Sequence, residues 1–149
     1  MLANPKLAVN RRTAVASGYI WSKGLFQCGA WPNLHCNVYK KMHVAIMYVF
    51  RIILHSGGYA AGTTDDDVIA QLQVMCPLTM LRACRLCLFA RFCKSITLYR
   101  CACELVDLKG TWAHAVMQDL QWLTIFREFR GCSGFSFGQW ADVIRVESC

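Results

Sequence analysis

The sequence predicts a mainly α-helical fold, an irregular bundle of four to five helices. Apolar residues recur at steps of three and four along several segments, which is the spacing of one buried helix face. Residues that favour helix starts, Thr64, Pro77 and Thr111, stand at the beginning of three of these segments. No segment shows a comparable alternation of apolar and polar residues, so the pattern disfavours a β-sheet architecture.

The sequence divides into three regions. Residues 1–12 are predicted to be a disordered lead or linker, residues 13–130 a helical region, and residues 131–149 a flexible loop followed by a truncated helix start. The helical region begins weakly, because Gly18 and Gly24 each cost about 1 kcal/mol in a helix interior. The sequence starts without the charged and apolar zones of a secretion signal and stops soon after a new apolar pattern begins. We therefore expect a fragment of a larger protein.

The strongest helix prediction follows a turn at residues 29–33. Pro32 disfavours helical geometry at Trp31, and this tryptophan is large enough to anchor the turn on a core. Asn37 can then cap a helix that ends before Ser56. The apolar positions of this helix follow steps of three and four: Val38, Met42, Ala45, Ile46, Val49, Ile52 and Ile53.

Three consecutive aspartates, Asp65 to Asp67, follow Thr64. The threonine hydroxyl can accept a hydrogen bond from a first-turn amide, Asp67 can reciprocate, and carboxylates are favoured at the positive end of a helix dipole. A metal-binding or catalytic acidic cluster is the alternative. Successive helical residues point about 100° apart, which suits a single metal ion poorly. The pattern therefore favours a helix cap.

Three helices are predicted from this cap onwards. The helix from Asp65 is predicted to close by Cys76, because Pro77 cannot continue it and suits the first turn of the next helix. The apolar side of that next helix consists of Leu81, Cys84, Leu88, Phe92, Ser95 and Tyr99. A last helix, capped by Thr111, has an apolar face of Trp112, Val116, Leu120, Leu123 and Phe126.

Charge favours an anionic partner. The net charge is +7 and the isoelectric point is near 9.0, which indicates nucleic acid first and an acidic membrane surface second. Five cations and no carboxylate lie between Pro77 and Glu104, so acidic partners one helical turn away are missing. Solvated arginines on a basic domain are the alternative explanation. The candidate phosphate-binding residues are Lys40, Lys41, Arg51, Arg82, Arg85, Arg91, Lys94 and Arg100.

The apolar content is high, at 56% with a mean hydropathy of +0.32. No run approaches the roughly 18 uncharged apolar residues that a membrane span requires, because Arg51 interrupts the best candidate at residues 42–54. We expect the excess apolar surface to be buried in the core or against a larger partner.

Ten cysteines occur at irregular spacing, and most are expected to be reduced and buried in an intracellular protein, nuclear or cytoplasmic. A zinc site at Cys84, Cys87 and Cys93 is an alternative, but this C-x-x-C pair lies in a helical segment and not in a tight turn. A Cys nucleophile with a His base stays open, although no local signature supports it. The expectation is no cofactor, no metal and no catalytic residue in this chain.

Five blocks, in order, resemble the region that follows the polymerase palm in LINE-type (non-LTR) retrotransposon reverse transcriptases. The resemblance covers about residues 11–130, and many arginines of the family pattern are cysteine here. The blocks are a stretch at 24–31 that corresponds to the Gly-x-x-Trp turn of the family, a long helix at 39–54 containing Arg51-Ile52-Ile53, an acidic short helix at 65–72, a basic helix at 81–91 and a Trp-containing block at 111–123.

This resemblance implies a thumb or connector role for residues 13–130, gripping the template and primer duplex through phosphates. It implies RNA-directed DNA polymerase activity for the parent protein only, because the Tyr-x-Asp-Asp motif of the palm and its magnesium ligands are missing here. The rival interpretation is a basic helical accessory subunit that packs inside a large protein or ribonucleoprotein assembly.

Overall fold

A computed structural model of the protein describes residues 2, 4, 6–55 and 62–147. These residues contain helices and no strand, so the mainly α-helical prediction is confirmed. The α-helices are α1 (Val9–Tyr19), α2 (Cys36–His55), α3 (Asp65–Leu72), α4 (Pro77–Phe92), α5 (Ile96–Leu105), α6 (Trp112–Leu123) and α7 (Phe137–Glu147).

The chain forms two compact units. Unit 1 consists of Met1–Phe26 and His35–Met80, and unit 2 consists of Gln27–Leu34 and Leu81–Cys149. Unit 1 contains α1, α2 and α3, which contact one another, and the first turn of α4. Unit 2 contains the rest of α4 together with α5, α6 and α7.

Helix α1 begins within the segment predicted to be a lead. Residues 9–12 are helical because Arg12 is buried and its Nη1 donates to the carbonyl of Leu2 at 3.0 Å. Part of that segment, residues 1, 3 and 5, lies outside the described residues. The weak stretch with Gly18 and Gly24 is helical, although its last turn, Ile20–Gly24, is a π-helix.

Helix α2 confirms the strongest helix prediction, with one correction at its start. It begins at Cys36, so Asn37 lies in the first turn and is not the cap; the Asn37 amide instead donates to Nδ1 of His35 at 3.4 Å. A second correction concerns its buried face. The fully buried residues of α2 are Met47, Phe50 and Ile53, of which only Ile53 was predicted. The predicted core positions Val38 and Ala45 are exposed. The predicted exit after residue 55 lies outside the described residues.

The capping prediction for α3 is confirmed. Thr64 Oγ1 accepts from the Asp67 amide at 3.2 Å, and Asp67 Oδ2 accepts from the Thr64 amide at 3.0 Å. The helix closes before Cys76, as predicted, and it ends at Leu72 because Gln73 adopts a left-handed conformation (φ 52°).

The long helix predicted from Pro77 is divided in two. The amide of Ser95 bonds to the carbonyl of Phe92 at 2.9 Å, an i to i−3 turn that ends α4 before α5 begins. The predicted apolar side is also displaced by one residue. The buried residues of this segment are Pro77, Met80, Leu81, Arg85, Phe89 and Cys93.

Unit 2 has a core formed by α4, α5, α6 and α7. Thr111 caps α6 as predicted, with its hydroxyl accepting from the His114 amide at 3.2 Å. Phe126 lies beyond the end of α6 and is exposed, contrary to the predicted face. The predicted start of a helix near Gln139 is confirmed by α7. The buried core residues are Phe89, Cys93, Ala102, Ala113, Val116, Leu120, Phe137, Trp140 and Ala141.

The predicted turn at residues 29–33 belongs to unit 2 and packs on α4. A Cβ atom at Gly29 would lie 2.7 Å from the carbonyl oxygen of Cys84, so only glycine fits there. Trp31 is half-buried. A second tryptophan, Trp112 of α6, holds the turn by donating from its indole nitrogen to the Gly29 carbonyl.

Candidate nucleic-acid interface

Three of the eight predicted phosphate-binding cations are engaged by carboxylates of the protein. Arg85 is 3% exposed and binds Asp119 through two hydrogen bonds, Nε to Oδ2 at 2.6 Å and Nη2 to Oδ1 at 3.0 Å. Arg82 Nε lies 3.4 Å from the same carboxylate, and its guanidinium stacks over Trp122 at 4.6 Å. The premise that these arginines lack acidic partners is wrong, because α6 supplies the acid.

Arg51 is paired in the same way within unit 1. Its guanidinium binds Asp65, and Nε2 of His43 lies 2.7 Å from the other oxygen of that carboxylate. The hydrogen bond from His43 and then the interactions with Arg51 lower the pKa of Asp65, against the opposing effect of burial. Arg51 therefore links α2 to α3 and is not available as a free phosphate ligand.

The other five predicted cations are exposed and form no ion pair with any described carboxylate. Lys40 and Lys41 belong to α2 in unit 1. Arg91 lies in the last turn of α4, Lys94 in the α4–α5 connection and Arg100 in α5, all in unit 2. Described carboxylates make ion pairs only with His43, Arg51, Arg82, Arg85 and Arg145.

The two lysines lie on the outward face of α2. Because α2 buries Met47 and Phe50 on one side, residues spaced three and four apart on the other side remain exposed. Part of this outward side of α2 lines a surface depression of about 590 Å³. The described lining residues, which we call the α2 face, are Asn37, Lys40, Lys41, Val44, Ala45 and Tyr48.

The charge around the α2 face is positive. No Asp or Glu occurs in the chain before Asp65, and α2 itself contains three Lys or Arg residues and no carboxylate. The acidic residue that contacts α2, Asp65, is neutralised by Arg51 and His43. An anion approaching Lys40 and Lys41 therefore meets uncompensated positive charge.

The sequence interpretation named the lysines of this face and missed its apolar members. Val44 and Tyr48 are 57% and 56% exposed, although both sit in a strongly apolar helix. The sequence pattern that could have indicated their exposure is their spacing. Lys41, Val44 and Tyr48 are three and four residues apart, so they share one side of the helix, and they fall between the core positions.

Three cysteines, Cys28, Cys84 and Cys93, lie in environments that favour neutral thiols. Burial, and then the neighbouring Cys28, raises the pKa of Cys84 to about 12, and burial raises the pKa of Cys28 and Cys93. The proposed zinc ligands differ in environment, since Cys87 is exposed and Cys93 is in the core of unit 2. Across residues 6–55 and 62–147, no group of three His, Cys, Asp or Glu side chains is arranged to hold a metal ion.

Within the described ranges, no single helix has the length and hydropathy to cross a membrane. Helices α3 and α4 meet those criteria only as a bent pair taken together.

No family model, curated protein or solved structure matches the chain.

Proposed function

We propose that this chain is a non-catalytic, nucleic-acid-binding thumb or connector segment of a retroelement reverse transcriptase, and that it binds through the α2 face. The observation that carries the proposal is the pair Lys40 and Lys41, exposed on a helix without carboxylates and unpaired with any described acid. The order of the five sequence blocks supports the retroelement context.

The binding mode that suits this face is contact with phosphates and not readout of base edges. Lysine ammonium groups act as point charges that neutralise phosphates and release condensed counterions. Such contacts carry little sequence information. Unit 2 has exposed cations of its own, Arg91, Lys94 and Arg100.

Salt dependence tests this proposal. We expect the logarithm of the association constant to fall linearly with the logarithm of salt concentration, and the variant Lys40→Gln/Lys41→Gln to reduce that slope by roughly 1.4 to 1.8. Fluorescence anisotropy with a labelled 20-nucleotide strand and its duplex measures both slopes.

The matched control for charge is Lys109→Gln/Arg127→Gln, which removes two exposed cations from unit 2 outside the proposed surface. This control should leave the slope within about 0.3 of the parent value, an allowance well below the effect of one lost phosphate contact. Equal slopes for the parent protein and the α2 variant would refute the proposal.

A second candidate function, an accessory subunit inside a larger assembly, is favoured by the exposed apolar side chains. Tyr19, Phe26, Ile96 and Ile125 are each exposed by about two thirds. Large exposed apolar groups of this kind are typical of surfaces that pack against protein neighbours. Light scattering of the isolated chain tests this candidate, because a stable monomer at high concentration would count against it.

A further inference from the structure

We propose that the α2 face takes a single-stranded nucleic acid, with one unpaired base stacked on Tyr48 and the adjoining phosphates bound by Lys40 and Lys41. This inference rests on the proposed function and assigns a single strand to this face, where the resemblance implies the template and primer duplex. It follows from the placement of one aromatic ring beside two lysines on the same surface depression.

The ring of Tyr48 is free, in contrast to the other aromatic residues of α2. Tyr39 packs against His43 with ring centroids 5.7 Å apart, and Phe50 is fully buried in the core. Tyr48 is 56% exposed and makes no hydrogen bond or ring contact with another described residue. A planar ligand can therefore cover its exposed part without displacing a hydrogen bond or ring contact between described residues.

The spacing suits a short piece of one strand. Tyr48 follows Lys41 by seven residues, which places it about 10 Å further along the helix axis. Val44 lies between them and lines the same depression, whose volume of about 590 Å³ is within the usual range for a small-molecule site. A base and its sugar can therefore occupy the apolar part of the face while the phosphates reach the lysines.

Single strands fit this surface better than duplexes. The bases of a duplex are stacked inside it, so that Tyr48 and Val44 would face only sugars and charged phosphates. An unpaired base offers its flat surface, and stacking on an aromatic side chain is tolerant of sequence. The combination of exposed cations with a free aromatic ring is typical of single-strand binding surfaces.

The test compares three ligands of equal length: a labelled 20-nucleotide strand, its duplex, and a strand in which abasic sites replace the bases. We expect the parent protein to bind the strand more tightly than the duplex. Tyr48→Ala should weaken binding of the strand roughly 5- to 150-fold and change binding of the duplex and abasic strand less than two-fold. Tyr48→Phe should retain the affinity for the strand.

The matched control is Tyr19→Ala, which removes a similarly exposed tyrosine of α1 outside the α2 face. It should leave all three affinities unchanged, and circular dichroism checks that every variant is folded. If Tyr48→Ala weakens binding of the strand and the duplex equally, or weakens binding of neither, the single-strand inference is overturned. The salt-slope result for the lysines decides the proposed function separately. If the parent protein binds none of the ligands, both fall.

Discussion

Arg85 and Asp119 form the main buried polar contact of unit 2. Both side chains are 3% exposed, and Arg85 occupies a position on α4 between the core residues Leu81 and Phe89. The arrangement satisfies the carboxylate with two hydrogen bonds and leaves Arg82 as a second cation nearby. A buried carboxylate next to two guanidinium groups is costly to remove, because the cations then lose their compensation.

Asp119→Asn is therefore expected to lower the free energy of unfolding by about 3–5 kcal/mol. Chemical denaturation measures the change. The matched control is Asp142→Asn, which removes an acid whose side chain is 73% exposed and pairs with Arg145; this variant should cost less than about 1 kcal/mol. If the two variants are equally stable, the Arg85–Asp119 pair does not organise unit 2.

The sequence does not reveal this pair because its members are far apart. Asp119 follows Arg85 by 34 residues, so a search for acids one helical turn away finds none. Charged residues are also rarely assigned to a core position. The ion pair between Arg51 and Asp65 is missed for the same reason. The sequence correctly places Asp65 in the first turn of α3, but it does not show that this turn contacts α2.

Helix α2 shows how much of an element its sequence can predict. The spacing of its apolar residues predicts the helix, because helix formation depends on local geometry. The predicted buried face is right at Ile46 and Ile53. It is wrong at Val38 and Ala45, which are exposed. The boundaries of the neighbouring helices are less predictable. Gln73 closes α3 in a conformation that usually requires glycine, and the turn at Cys93 to Ser95 divides a segment that has neither glycine nor proline.

The contact between α2 and α3 has a measurable signature in the pKa of Asp65. His43 and Arg51 stabilise the carboxylate, so its pKa in the folded protein should lie below the ordinary value of 3.8. A lowered pKa means that the carboxylate contributes stability above about pH 4, and that this contribution is lost as the pH falls through the folded-state value.

Carbon-detected NMR of the Asp65 carboxyl group measures this pKa directly. His43→Gln and Arg51→Gln should each raise it towards 3.8. Lys41→Gln, an exposed cation of the same helix on the outward face, is the control and should leave it unchanged. A value for Asp65 at or above 3.8 in the parent protein would contradict the described link.

At the scale of the whole molecule, the sequence predicts the helical class and the basic character, but only part of the interface. Five of the predicted cations are exposed: Lys40, Lys41, Arg91, Lys94 and Arg100. The remaining three hold helices together through long-range ion pairs. Which cations face solvent depends on tertiary packing, and tertiary packing also decides that Tyr48 is free. The retroelement assignment stays a prediction.

The most direct test of the central claim is an NMR titration of the ¹⁵N-labelled protein with an unlabelled 20-nucleotide strand. The claim predicts that the largest saturable amide shift changes fall at residues 37–48, around Lys40, Lys41 and Tyr48, and that the amides of Arg85 and Asp119 change little. Binding that leaves residues 37–48 unperturbed would contradict it.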